Sequence, residues 1–103
     1  MLLRYTMLPD EEYSDIADFY KVFGDSTRLR ILYFLDKGES NVNAISAELG
    51  ISQSSVSQHL KLLRVARLVS WRKDGKNIIY KLNDEHISRI LALGLEHYEE
   101  TLG

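Results

Sequence analysis

Ile51-Ser52-Gln53-Ser54-Ser55-Val56-Ser57-Gln58-His59-Leu60-Lys61-Leu62-Leu63 carries two opposed stripes at helical spacing. Val56, Leu60 and Leu63 recur on one apolar face. Ser54, Ser57, Gln58 and Lys61 recur at i, i+3, i+4 and i+7 on the other, a face made of hydrogen-bonding side chains. Ser52 has the side chain of an N-cap. Upstream, a short helix is expected from Asn41 or Val42 to Leu49, with Ile45 and Leu49 inward. Gly50 closes it and Ile51 fills the turn. A short helix, a glycine turn and a two-faced helix together make a helix-turn-helix over 42–64.

Downstream, Leu68 to Arg72 and Asn77 to Leu82 are β-rich and alternate, so they predict two strands. Lys73-Asp74-Gly75-Lys76 is expected at the tip of the hairpin they form, a wing over 68–82. Upstream, Asp25 can cap a helix carrying Leu29, Ile31, Leu32, Phe34 and Leu35, apolar on most sides and therefore central. Lys37-Gly38 stops it. Pro9 and the acids Asp10, Glu11 and Glu12 open a first helix over 9–24. Tyr13, Ile16, Tyr20 and Phe23 follow helical spacing along it, and Gly24 ends it. A last helix is expected over 84–102, where Ile87, Ile90, Leu91, Leu95, Tyr98 and Leu102 give a broad apolar face. The whole, 1–103, reads as one mainly α domain with a β-hairpin wing, a winged helix-turn-helix.

Net charge is −2, which misleads for a nucleic-acid binder. From Ser52 to Lys76 six basic side chains stand against one acid, giving +5, and the remainder carries −7. One positive face on a polar molecule suits a local anionic partner such as double-stranded DNA. Gln53, Ser54, Ser55, Ser57, Gln58 and Lys61 are the candidates for base edges and phosphates, Gln being able to pair bidentately with adenine. Arg72, Lys73 and Lys76 would let the wing follow phosphates or enter the minor groove. His59 lies between the two stripes and reads as a structural or phosphate-contacting residue.

The last helix holds a second pattern: Asp84-x-His86, then His97-x-x-Glu100. An α-helix turns about 100° and rises about 1.5 Å per residue, so His86 and His97 share a face to within about 20° yet lie roughly 16 Å apart. One ion cannot touch both on one chain. Two antiparallel copies bring Asp84 and His86 of one beside His97 and Glu100 of the other, with a two-fold axis near residues 91 and 92. A homodimer then owns two equivalent sites of two imidazoles and two carboxylates. Gly94 costs helix stability where it stands, but close to that axis a missing side chain lets two helices approach. The helices over 9–24 and 84–102 are therefore expected to dimerise the chain.

Bulk properties agree. A chain of 103 residues buries a modest core, so association would help it. There is no cysteine, which excludes disulfides, thiolate metal sites and a thiol redox switch, and is compatible with a cytoplasmic home. Met1 to Asp10 lacks the apolar stretch of a secretion signal, and no segment is apolar enough to span a membrane.

Three stretches together are similar to the ArsR/SmtB winged-helix repressors. Phe23-Gly24-Asp25-Ser26-Thr27-Arg28-Leu29-Arg30-Ile31-Leu32 resembles their second helix, Ile51 to Leu63 their recognition helix, and Gly75 to Tyr80 their wing. The resemblance runs from about Tyr13 to Glu100. It implies a homodimer that binds an inverted-repeat operator without metal and leaves it when metal binds. One subgroup senses thiophilic ions through cysteines in the third helix; here Glu39-Ser40-Asn41-Val42-Asn43 offers asparagine there. The other senses zinc, or sometimes cobalt or nickel, through the last helix, and Asp84, His86, His97 and Glu100 match its pattern. Nickel-type sites use further ligands, and no histidine-rich extension precedes Gly103. Two imidazoles and two carboxylates favour zinc, with cobalt possible.

His97 is the expected relay, its second ring N–H reaching a carbonyl near the end of the recognition helix around Arg67. A regulator of the same family that answers to a non-metal signal, or to none, is the alternative these residues leave open. An enzyme is not expected. Four protein ligands leave no open position for water, no separate general base is evident, and no phosphate loop or activated nucleophile is present.

Overall fold

The computed structural model describes residues 8–102; the part of the N-terminal segment at 1–7, read above for a secretion signal, and Gly103 lie outside it. Five helices and one hairpin follow in order: α1 Asp10–Phe23, α2 Ser26–Lys37, α3 Val42–Leu49, α4 Gln53–Val65, β1 Val69–Asp74, β2 Asn77–Leu82 and α5 Glu85–Leu102. Local chemistry sets most of the boundaries. Asp25, Asn41 and Ser52 each cap the helix that follows, accepting from the amides of Arg28, Ala44 and Ser55 at 2.9, 2.8 and 3.1 Å. Gly50 takes φ 69° after α3, the left-handed cap that glycine adopts without strain.

α4 ends differently. Arg67 is at φ 61°, and the amides of Arg67 and Leu68 reach back to the carbonyls of Arg64 and Leu63. This is a Schellman motif with arginine where glycine is usual. Leu63 and Leu68, both fully buried, supply its apolar contact.

α2 is central, packing against α1, α3, α4, α5 and β2. Its Ile31 and Leu32 meet Ile45, Val56, Leu60, Leu63 and Leu68 in a core with no solvent access. Each such side chain is worth about 1.5–3 kcal/mol of burial. The hairpin is antiparallel, from Val69 opposite Leu82 to Asp74 opposite Asn77. Its tip is therefore shorter than the four residues expected: Lys73 and Asp74 stay in the ladder and only Gly75 and Lys76 turn. Gly75, at φ 64°, supplies the positive dihedral of the first central position, as a type II′ turn requires. Ser40, in the α2–α3 loop, pairs with Tyr80 on the free edge of β2 (N–H to O 2.9 and 2.8 Å) and ties wing to head.

α5 rests on the head only at its start. Ile87 and Leu91 are buried, the Tyr33 hydroxyl donates to the Leu91 carbonyl at 2.9 Å, and the Ser88 hydroxyl donates to Asp36 at 2.6 Å. Beyond Leu91, residues Leu93, Leu95, Tyr98 and Leu102 are exposed, as are Tyr13, Ile16 and Tyr20 of α1. Of the α1 face expected from sequence, Phe23 packs on the core together with Phe19 and Val22, while Tyr13, Ile16 and Tyr20 stay uncovered in one chain. The radius of gyration, 15.4 Å, exceeds the roughly 13 Å of a compact chain this long. Among the described residues no helix is long and apolar enough to cross a membrane.

Candidate functional site

α4 presents Gln53, Ser54, Ser57, Gln58 and Lys61 to solvent while Val56, Leu60 and Leu63 are buried beneath them. The separation of the two stripes is thus physical, and the open face is a row of uncharged donors and acceptors with one lysine. Ser55 is half-buried. His59 departs from the row. Its side chain is only 22% exposed and its buried Nδ1 lies 4.0 Å from Asp25 Oδ2 without a hydrogen bond. It faces the cap of α2 rather than the open surface, the structural half of the expectation. The Asp25 carboxyl is held below the usual aspartate range by the Arg28 amide first, with the Arg28 charge and a protonated His59 adding and burial opposing.

Arg72, Lys73 and Lys76 are exposed on the wing as expected. A groove of about 340 Å³ separates the tip from α4, lined by Asn41, Asn43, Ser57, Lys76 and Asn77 among others. Two contacts were not legible. Glu39 grips Arg72 with both oxygens, at 2.6 and 2.8 Å. The Arg64 guanidinium stands 4.7 Å over the ring of Trp71, joining α4 to β1 by a cation–π contact.

The candidate metal ligands fall at the two ends of α5. Asp84 caps the helix: its Oδ1 accepts from the His86 amide at 2.8 Å and stands 3.1 Å from His86 Nδ1. Asn83 donates to the other oxygen at 3.2 Å, and this bond, ahead of those from His86, lowers the Asp84 carboxyl below its ordinary range. Two donors 2.0–2.1 Å from a tetrahedral zinc stand about 3.3 Å apart, so Asp84 and His86 already hold close to a chelating bite. His97 and Glu100 lie one turn apart near the other end and are exposed. Among the described residues no three histidine or carboxylate side chains come together on one chain. A four-donor site built on these residues therefore needs two copies.

His86, Ile90, Leu93 and His97 fall within a sector of roughly 60° on α5. Leu93, absent from the apolar face drawn from sequence, is 63% exposed at one edge of that sector. Beside it lies a groove of about 430 Å³ between α1, α2 and α5, walled by Tyr20, Phe23, Tyr33, Leu95 and Tyr98 and open at Gly94. The expected relay has no counterpart inside one chain. Among the described residues the His97 side chain makes no hydrogen bond, and α5 leans on α2 and β2.

Residues 25–70 match the family model for bacterial regulatory proteins of the arsR family. The HTH-type transcriptional regulator KmtR of Mycobacterium tuberculosis is 38% identical over 84 residues, 82% of this chain and 65% of that protein. The cadmium resistance transcriptional regulatory protein CadC homolog of Staphylococcus aureus is 33% identical over 87 residues, 84% of this chain and 72% of that one. This chain thus spans between 65% and 72% of the length of these relatives. Among solved structures, the homodimeric winged helix-turn-helix DNA-binding domain of a possible ArsR-family regulator from Mycobacterium bovis superposes with a TM-score of 0.85, 29% identity, and coverage of 91% of this chain and 87% of that one. Sequence and architecture converge, and the chain belongs to the ArsR family of bacterial regulatory proteins, DNA-binding transcriptional regulators rather than enzymes.

Proposed function

We propose that this chain is a metal-responsive transcriptional repressor of the cytoplasm. It holds operator DNA as an apo homodimer and leaves it when zinc, or cobalt, binds across the two α5 helices. The observation that carries the reading is the split donor set: Asp84 and His86 near chelating distance at one end of α5, His97 and Glu100 a turn apart at the other. The exposed faces of α1 and α5 support a homodimer, as does the homodimeric assembly of the M. bovis domain. The cadmium-resistance relative supports a metal signal. A chain without cysteine directs that signal to nitrogen and oxygen donors, for which zinc is well suited.

In such a dimer the two α4 helices read successive major grooves, roughly 34 Å apart. Gln53, Ser54, Ser57, Gln58 and Lys61 face the bases and phosphates, with Ser55 and His59 at the margin. Lys73 and Lys76 reach from the wing. Asp84 and His86 of one protomer and His97 and Glu100 of its partner hold the metal. Bound there, zinc supplies a cross-link that fixes the angle between the α5 helices. Each helix carries its own head through Ile87, Leu91 and the Tyr33 and Asp36 hydrogen bonds, so that angle sets the spacing of the two α4 helices.

Mixing two defective proteins tests the cross-chain site. His86→Ala and His97→Ala homodimers each lack both sites. In a mixed dimer one site loses both histidines and the other keeps both. Subunit exchange in an equal mixture is expected to restore cobalt binding, with four-coordinate absorption, at about one ion per four protomers. Continued absence of binding after verified exchange would refute the cross-chain assignment. Operator release by zinc, followed by fluorescence anisotropy, is the companion measurement. If zinc saturates the site and leaves operator affinity unchanged, the chain is a family member answering to another signal.

A further inference from the structure

Glu39 stands in the α2–α3 loop beside Ser40, whose backbone pairs with Tyr80. Continuing that antiparallel bridge by one residue sets Glu39 opposite Lys81. In the hairpin register Ser70 pairs with Lys81 and Arg72 with Ile79, so Arg72 and Lys81 share a sheet face, and Glu39 joins them there. Both oxygens of Glu39 are committed to Arg72, Oε2 to Nη1 at 2.6 Å and Oε1 to Nη2 at 2.8 Å. The guanidinium fork that matches a carboxylate is the same fork that matches a phosphate. While Glu39 holds it, Arg72 presents to DNA little net charge and the wrong edge. Lys73 and Lys76, nearer the tip, have no such partner among the described residues.

Affinity for DNA of any sequence comes from phosphate neutralisation, whereas discrimination comes from base edges and shape. A masked phosphate contact therefore lowers affinity for all sequences alike. We propose that Glu39 masks Arg72 from DNA phosphates and so holds down the sequence-independent affinity of the DNA interface. The inference rests on DNA binding by this fold and not on the α5 site, so its test is run on the apo protein in EDTA. The fate of the metal reading does not touch it.

The test is binding of a labelled random-sequence duplex, by anisotropy, across a range of salt. The proteins are the wild type, Glu39→Gln, Glu39→Ala, Arg72→Gln and the double variant Glu39→Gln/Arg72→Gln. One freed arginine adds one phosphate contact, so both Glu39 variants are expected to bind several-fold tighter at low salt. Their plot of log K against log salt should steepen by about 0.9. Arg72→Gln alone leaves the Glu39 carboxylate uncompensated but removes no phosphate contact, so its salt slope should match wild type, and the double variant should lose both the gain and the added slope of Glu39→Gln. Trp71 emission, next to Arg72 in the wing, is expected to be unchanged in all of them. Three results would overturn the proposal. If Arg72→Gln alone lowers the salt slope by about 0.9, Arg72 is already on a phosphate. A gain that survives in the double variant makes Glu39 act through its own field. Weaker binding by Glu39→Gln with shifted Trp71 emission makes the pair a strut that holds the wing.

Discussion

Leu93→Ala separates a dimer held along α5 from a monomeric chain with a decorated helix. The substitution removes three carbons, worth about 2.4 kcal/mol if fully buried at about 0.8 kcal/mol each. Leu93 is 63% exposed in the single chain, so roughly 1.5 kcal/mol of that remains to be gained when a partner covers it. The two-fold axis expected near residues 91 and 92 would place both copies in the contact, and the loss then doubles to about 3 kcal/mol per dimer. At 1.4 kcal/mol per tenfold, the dimer dissociation constant should rise by about 100-fold. Within one chain the same change touches little of the core, and alanine is the better helix former, so monomer stability should hold. Sedimentation equilibrium across protein concentration reads the first quantity and a melt of the dilute protein reads the second. A dissociation constant within threefold of wild type would refute the argument. The sector from His86 to His97 would then face solvent in the assembly too, and no metal site could form across it.

Gly94→Ala should separate the two roles of that position: its Cβ meets nothing within 4 Å in the chain, so the helix gains about 1 kcal/mol in a dilute-protein melt, while the dimer constant weakens where the methyl meets the partner helix. Asp25→Ala should cost about 1 kcal/mol of unfolding free energy at neutral pH through loss of the α2 cap. Because the Arg28 amide lowers the folded pKa of Asp25, the cap stabilises fully above the ordinary aspartate pKa and is lost as pH falls through the folded value, so wild type and variant should converge in acid urea melts. Arg67→Gly should raise stability by about 1 kcal/mol by relieving the left-handed arginine, measured by urea denaturation.

What the sequence disclosed is what short-range chemistry decides. Ser52, Asn41 and Asp25 cap helices three residues on, Gly50 breaks one, and Val56, Leu60 and Leu63 reach the core because helical geometry leaves them no other direction. The wing tip was misjudged because Lys73 and Asp74 look like turn residues by type, whereas the ladder continues through them to Asn77. Arg67 was invisible as a helix stop because residue type favours glycine there, and burial of Leu63 against Leu68 outweighed the strain. Glu39 meets Arg72 across 33 positions and Ser40 meets Tyr80 across 40, distances at which no periodicity speaks. The apolar spacing of α1 and the far half of α5 was read correctly as a face. Spacing says which way a side chain points and nothing about what covers it: in one chain Phe23 is packed on the core, whereas Tyr13, Ile16, Tyr20 and the far half of α5 are not. The four candidate ligands are the inverse case: their register implies a two-fold axis that a single copy cannot display.

The architecture also limits how a signal at α5 can reach DNA. Inside one chain α5 meets the head through α2 and β2, by way of Ile87, Leu91, the Tyr33 hydroxyl and the Ser88–Asp36 hydrogen bond. α2 is the most connected element of the fold, and α3 and α4 pack on it around a core without solvent access. Close-packed interiors do not flex continuously, so a head of this kind moves as one body when α5 turns. In the proposed dimer the small rearrangement would therefore belong at the α5–α5 contact, and the large one at the spacing of the two α4 helices. Linkage then makes the coupling symmetric: if metal weakens operator binding by some factor, operator must weaken metal binding by the same factor. A metal titration of the operator-bound dimer, compared with the free dimer, measures that factor from the other side. Equal affinities in the two titrations would mean that α5 and α4 are structurally joined yet energetically silent, and the signal for release would have to enter through the head itself.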